Sequence, residues 1–218
     1  MVLRVVQPSR RVVRCSTPMD DRFPRRRRGG RFIVLTGPDG VGKTTVARHL
    51  ARLAGGATVY FHFCPPIVGQ EASAPPEVPD PPMEKPPSSG SVVLGWARLA
   101  RNFVRFWMGY VLTVRPAVHR GATVIGDRWA FGYLAQPDAL KYYGPAWLAR
   151  VVLAFFPRPD LVANLVAPAD MIQDRKAELS IEQIERELAV WARVPDAVGI
   201  DASGDPELIA RAILRWFD

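Results

Sequence analysis

Lys43 and Thr44 lie in the stretch Gly37-Pro38-Asp39-Gly40-Val41-Gly42-Lys43-Thr44-Thr45, which fits G-x-x-x-x-G-K-[ST] through Gly37, Gly42, Lys43 and Thr44. The chemistry such a spacing serves is phosphate binding. Glycines let the backbone turn tightly enough to aim its N–H groups inward at an anion. A lysine in this place reaches the β- and γ-phosphates of a nucleotide, and the hydroxyl after it ligates Mg²⁺. Gly37, Asp39, Gly40, Val41, Gly42, Lys43, Thr44 and Thr45 are thus the expected nucleotide-binding residues. The plain alternative is a glycine-rich turn that binds nothing. A second pair, Asp127-Arg128, ends the apolar run Ala122 to Gly126. A carboxylate there suits the metal side of a phosphate site, and an arginine beside it can grip phosphate oxygens with two hydrogen bonds. The alternative for that pair is an ion pair at a strand end on the surface. Thr44 and Asp127 are the expected metal ligands.

The flanking elements turn these patterns into positions. Phe32 to Leu35 is a continuous apolar run suited to a central parallel strand, and Val46 to Ala54 is a helical pattern stopped by Gly55-Gly56. The helix contributes the positive end of its dipole to the loop. Ala57 to Phe63 reads as a second strand. Cys64 to Pro87 then carries nine of the chain's 21 prolines, a long irregular loop that either closes over a ligand or hangs free.

Ser91 to Arg120 reads as one long buried helix, with Val92, Val93, Trp96, Leu99, Phe103, Phe106 and Tyr110 at steps of three and four. Arg101 and Arg105 lie between those aromatic positions and need an anionic partner or an exit to water. The apolar stretch Phe106 to Val114 is too short to span a bilayer, so no membrane partner is expected. Beyond Asp127 come a helix from Pro145 to Phe156, a strand from Asp160 to Val166, and a helix from Ala169 to Leu179. A capping box at Ser180 to Gln183 opens the next helix, Ala197 to Asp201 makes a last strand, and Asp205-Pro206 starts the closing helix. Alternating strands and helices predict a parallel sheet covered on both faces.

The net charge of +8 is a property of the leader: residues 1–30 hold nine arginines against Asp20 and Asp21, and everything after Gly30 carries 20 basic and 19 acidic residues. Nucleic acid is therefore not expected to bind the near-neutral folded part, and only the basic N-terminal tail offers it a tether. The leader, 1–30, reads as disordered and dispensable for catalysis: a transit peptide, a tether, or sequence upstream of the true start. With only Cys15 and Cys64, a disulfide framework is not expected, and a reducing cytoplasmic compartment fits.

With both motifs in place, residues 31–218 resemble the thymidylate kinase-like group of P-loop nucleoside and nucleotide kinases. The resemblance rests on the loop with acidic Asp39 as its third residue, on Asp127-Arg128-Trp129 with Pro116 and Gly121 ahead of it, on Pro159 to Pro168 followed by Asp174 to Leu179, and on Ile200 to Ile209. It implies a three-layer α/β P-loop NTPase fold of the nucleoside monophosphate kinase type, a five-stranded parallel sheet with helices on both faces. It implies transfer of the ATP γ-phosphoryl, with Mg²⁺, to a small-molecule acceptor, and it leaves room for a homodimer. Lys43 and the loop amides would hold the ATP phosphates, and Asp127 would serve the metal or orient the acceptor oxygen. Arg128 would clamp the acceptor and Asp39 touch its hydroxyl. Arg175, with Lys176, would close from a lid spanning about 172–190, and Ser203 would belong to the adenine-side loop. Phe63, Arg101 and Arg105, along the 64–90 loop, would complete the acceptor side.

This chain departs from the family where the acceptor is held. The Arg-Glu-Pro-Gly piece after the second strand is replaced by His62-Phe63-Cys64-Pro65-Pro66, and the Ala-Tyr-Gln piece is reduced to Gly132-Tyr133-Leu134-Ala135-Gln136. A nucleotide or nucleoside acceptor other than thymidylate is therefore the expectation. Other readings are thymidylate itself held by Arg101 or Arg105, a sugar or other metabolite, and a regulatory nucleotide binder that transfers nothing.

Overall fold

Continuous apolar runs become central strands when both of their faces are covered, and this chain supplies the cover from both sides. The structure, a computed structural model, describes residues 12–13, 29–67, 75, 91–175 and 179–217. Strands β1 (Val12–Val13), β2 (Arg31–Thr36), β3 (Thr58–His62), β4 (Thr123–Asp127), β5 (Leu161–Val166) and β6 (Ala197–Asp201) form one sheet in the order β1-β6-β5-β2-β4-β3. Every pairing in it is parallel. The helices are α1 (Lys43–Leu53), α2 (Val92–Gly109), α3 (Arg115–His119), α4 (Gly132–Ala135), α5 (Ala146–Ala154), α6 (Ala169–Arg175), α7 (Ile181–Trp191) and α8 (Pro206–Leu214).

The two-residue period of a strand separates two apolar layers. Ile33 and Leu35 of β2 pack with Val46 and Leu50 of α1 and with Ile209 and Ile213 of α8. Phe32 and Val34 face the other way, onto Phe106 of α2, Ala117 of α3 and Trp191 of α7. The result is an α/β architecture of three layers, as the alternation of elements predicted. The capping box forms, with Ser180 and Gln183 each bonding the other's backbone N–H. Asp205 caps α8 by accepting from the Glu207 N–H at 2.8 Å.

Strand order locates the crevice. From β2 the chain moves to β3, beyond β4; from β4 it moves to β5, on the opposite flank of β2. Connections thus leave the neighbours β2 and β4 in opposite directions, and ligands in open α/β sheets bind outside the carboxyl ends of strands at such a point. Register brings Leu35, Asp127 and His62 abreast on β2, β4 and β3.

Three expectations need correction. The sheet has a sixth strand: Val12–Val13, inside the leader expected to lack order, adds beside β6 with Val12 opposite Gly199 and Val13 opposite Ile200. An edge strand offers an unpaired row of N–H and C=O groups, and a β-branched pair is a natural complement. The long helix is not uniform: five residues, Tyr110–Val114, form a π turn between α2 and α3. There Gly109 has no side chain where Pro65 crosses; a Cβ would stand 2.5 Å from the Pro65 carbonyl oxygen. Thr113 donates to the Pro66 carbonyl at 2.7 Å.

Nor is that helix buried all round. Leu99, Asn102 and Phe106 are buried, but Val93 is 70% exposed, Val104 55% and Trp96 46%. The buried stripe runs through Gly95, Leu99, Asn102, Phe106 and Gly109, so Leu99 and Phe106 of the expected positions are buried, Phe103 and Tyr110 are half-buried, and Val92, Val93 and Trp96 are exposed. Arg101 and Arg105 take the exit to water. Among the described residues no helix is long and apolar enough to cross a membrane. Residues 68–74 and 76–90 of the proline-rich loop, Lys176, and the expected helix's continuation through 176–178 lie outside the described residues.

Candidate functional site

The loop between β2 and α1 takes its shape from backbone conformations that favour glycine. Gly37, Gly40 and Gly42 have φ of 133°, 85° and 100°. Gly37 also passes so close to β5 that a Cβ would stand 2.5 Å from the Leu165 carbonyl oxygen. Behind the loop, Thr36 donates to the Asn164 side chain at 3.3 Å, satisfying two buried polar groups between neighbouring strands. Thr44 and Thr45, half-buried, follow Lys43 into the first turn of α1.

Lys43 is 6% exposed and turned onto its own loop. Its ammonium donates to the carbonyls of Gly37 at 3.0 Å and Pro38 at 2.8 Å, and meets Asp39 Oδ1 at 3.5 Å. Burial, and next the charge of Arg128, lower its pKa, against the opposing pull of Asp39, Asp127 and Glu187. Such a cation gains from an anionic ligand, because that ligand restores charge balance that burial has removed.

Asp127 and Arg128 stand on the same side of the sheet as Lys43. Arg128 Nη2 donates to Asp39 Oδ1 at 2.6 Å and Nη1 to Gln136 Oε1 at 3.0 Å. Asp127 is 2% exposed. Its Oδ2 accepts from the Tyr60 hydroxyl at 3.4 Å and lies 3.6 Å from His62 Nδ1. That second separation is an ion-pair distance and too long for a strong hydrogen bond. Burial opposes ionisation of Asp127, but His62, Lys43 and Arg128 together outweigh it and hold the pKa below the ordinary carboxylate value. Two buried atoms here, Asp127 Oδ1 and Arg128 Nε, have no hydrogen-bond partner. The surface-ion-pair alternative for Asp127-Arg128 therefore does not describe this corner.

The backbone is strained where the corner is made. Arg128 and Trp129 have φ of 74° and 48°, and Phe63 on the adjoining strand end has 63°. Consecutive side-chain-bearing residues in this region cost energy and persist only where their surroundings fix them. The anchor is Trp129, 1% exposed, edge-on to Phe106 at 4.7 Å and to Phe32 at 5.2 Å. A backbone hydrogen bond of 2.7 Å from Phe63 to the Asp127 carbonyl ties the two strand ends.

Arg175 approaches from the other flank. Its Nη1 donates to the Val41 carbonyl at 3.4 Å and the Ala202 carbonyl at 3.5 Å, joining the glycine loop to the segment that carries Ser203. Ser203 itself is held by its N–H on Asp201 Oδ1 at 3.0 Å. The expected acceptor residues are held differently. Phe63 packs edge-on against Phe106 at 5.1 Å. Arg101 donates to Asn102 Oδ1 at 3.3 Å, and Asn102 in turn donates to the Tyr133 hydroxyl at 2.7 Å. Arg105 is exposed, near enough to Cys64 that its charge opposes the rise burial gives that thiol's pKa.

Three residues of the corner were not singled out in sequence. Tyr60 and His62 sit two apart on β3 and share a face, so a polar pair in an apolar strand was the available signal. Glu187 of α7 gave none: its Oε2 accepts from the Asp39 N–H at 3.2 Å across 148 residues of sequence. It occupies a loop amide with a carboxylate. A recess of about 790 Å³, lined by Trp129, Leu153, Phe156, Asp160 and Pro195 among others, lies toward the amino ends of β5 and β6, away from Lys43.

No protein-family model matches the chain, and no curated protein matches its sequence.

Proposed function

We propose that this chain is an ATP-dependent kinase of the thymidylate kinase-like P-loop group, moving the γ-phosphoryl of ATP onto a nucleotide or nucleoside through an altered acceptor site. The reading rests above all on Asp127 Oδ1 and Arg128 Nε, a buried acceptor and a buried donor without partners, beside a lysine buried in a glycine loop. A carboxylate oxygen of that kind is a ligand for a cation, and a guanidinium N–H of that kind is a donor to an anion. Phosphoryl transfer brings both charges to one place.

Thr44 and Asp127 are the residues that would hold Mg²⁺. Mg²⁺ takes one or two protein ligands and completes its shell with phosphate oxygens and water, which a hydroxyl and a carboxylate can serve. Bound there, Mg²⁺ would neutralise charge on the transferring group. The chain's own residues supply the rest. Lys43 exchanges its loop carbonyls for phosphate oxygens. Arg128, aimed by Asp39 and Gln136, orients the acceptor, and Arg175 adds positive charge from the lid side. Positioning and charge neutralisation are the greater part of catalysis in this reaction class.

Coupled ADP release over a panel of nucleosides, nucleotides and sugar phosphates is the test. Turnover with a nucleotide or nucleoside is the expected result. Rapid turnover of thymidylate alone would remove the altered-acceptor part of the proposal, and nucleotide binding without transfer to any acceptor would overturn the kinase reading.

A further inference from the structure

The proposed reaction makes no use of the recess of about 790 Å³ toward the amino ends of β5 and β6. Its volume is that of a small-molecule site, for which about 300–1,000 Å³ is usual. The lining is mostly apolar, with Phe131 and Leu134 at α4, Leu153 on α5 and Trp216 after α8 among its members. Water gains little from such walls, whereas an apolar body seated there leaves water itself. Charge is confined to four side chains, Arg150, Arg158, Asp160 and Asp196. Asp160 accepts the Phe32 N–H at 2.9 Å, so its carboxylate is committed to β2. Asp196 is exposed, at a φ of 56°. Arg150 and Arg158 are exposed too, and neither makes a hydrogen bond or an ion pair among the described residues. Two guanidiniums thus border an apolar hollow, with Asp196 as the one uncommitted carboxylate against them.

We infer that this recess binds a small amphipathic anion, its apolar body against Trp129 and Trp216 and its carboxylate head on Arg150 and Arg158. A guanidinium offers a carboxylate two parallel hydrogen bonds, which a neutral head does not match and a cationic head forbids. The location gives such a ligand a second effect. Trp129 lines the recess and also anchors the Asp127-Arg128 corner, its ring edge-on to Phe106 at 4.7 Å. Arg128 and Trp129 are consecutive residues at positive φ, a conformation that persists only while its surroundings fix it. An occupant adds contacts to the wall that holds the tryptophan, and the shared backbone carries the change to Arg128. Neither effect requires nucleotide or turnover.

Decanoate is the probe, with decanol as its neutral counterpart and decyltrimethylammonium as its cationic one. Titrated into the full chain labelled with a nitrogen isotope for NMR, decanoate should move the indole N–H signals of Trp129 and Trp216 and the Nε–H signal of Arg128. The indole signals of Trp96, Trp107 and Trp147 should stay in place. Those three are exposed on α2 and α5, so the contrast separates the recess from adsorption to outer apolar surface. Calorimetry should rank decanoate above decanol by about tenfold, as expected of charge-assisted hydrogen bonds, with decyltrimethylammonium weakest. Arg158→Glu, at an exposed residue without a described partner and so compatible with folding, should abolish that advantage and leave decanol unchanged. Ala154→Trp, at an exposed residue of the lining, should weaken both by filling the space. No binding at millimolar decanoate, shifts confined to Trp96, Trp107 and Trp147, equal affinity for decanoate and decanol, or an Arg158→Glu chain that binds decanoate as before would each overturn the site. An Arg128 signal that stays fixed while that of Trp129 moves would overturn the link to the corner.

Discussion

The glycine-loop side and the α2 side of the crevice differ in how their cations are held. Lys43 is buried against carbonyls of its own loop, and its place follows from backbone register and from three glycines in conformations other residues avoid. Arg101 and Arg105 are exposed on a helix, and Arg101 donates to another side chain, Asn102, rather than to backbone. Arg128 mediates between the two, since one end of its guanidinium is on Asp39 of the loop and the other on Gln136 beyond β4. The contrast teaches that the loop half is specified by backbone, whereas the α2 half depends on side-chain choice. A change of acceptor therefore requires no change in the loop that carries ATP in the proposed reaction.

Substitutions at five residues separate the two halves of the crevice. The largest effect is expected from Lys43→Met, which should cost about 10²–10³-fold in kcat, read by coupled ADP release, because it removes charge aimed at the transferring group. Its effect on folding should be the reverse. The folded pKa of Lys43 lies below the unfolded one, so burying the cation is unfavourable at neutral pH, and wild-type stability should rise as pH climbs toward the ordinary value of 10.5. Urea titrations should find that rise missing in Lys43→Met. A melting temperature that falls in the variant would mean that the loop needs the ammonium for its own shape.

Arg128→Lys keeps the charge and loses the fork. It should lower kcat/KM by about 10–100-fold, acting on the acceptor more than on ATP. Equal losses for both substrates would contradict a division of labour between the glycine loop and the acceptor side. Next in size is Asp127→Asn, expected to destabilise the fold by about 1–2 kcal/mol at neutral pH. Because the folded pKa of Asp127 is depressed, its contribution is present above the ordinary value of 3.8 and is lost as pH falls through the lower folded value. The difference between wild type and variant should therefore shrink in acid. Glu187→Gln tests the loop from outside. Removing a carboxylate that competes for the Asp39 N–H should tighten ATP binding several-fold by calorimetry, and weaker binding would make Glu187 a support of the loop. The smallest change is expected from Arg101→Ala, within about twofold for ATP affinity, since a solvated cation on α2 contributes little there.

Sequence disclosed what is local. The strand–loop–helix around Gly37 to Thr45 and the caps at Ser180 and Asp205 all involve residues within a few positions of one another, and each is found in the structure. Asp127 was legible because parallel register carries a strand-end residue to the loop of its neighbour. Glu187 was not, since nothing on α7 indicates which distant amide it will meet. The aromatic stripe of α2 was right at Leu99 and Phe106 and misled at Val92, Val93 and Trp96, for a different reason. Apolar residues surround that helix on most of its circumference, so periodicity alone did not distinguish the side packed on Phe156 and Trp129 from the side facing outward. Arg101 and Arg105 inherit that ambiguity.

The short strand Val12–Val13 bears on how the protein should be handled. A truncation that begins at residue 31, the obvious choice for discarding an arginine-rich leader, would leave Gly199 and Ile200 without the neighbour they pair with and turn the outer margin of β6 into a bare, adhesive border. Trimming that stops before Val12 retains the pairing on Gly199 and Ile200. Clumping by the shorter version would then report a missing seam along β6, with no bearing on whether the leader serves the chemistry.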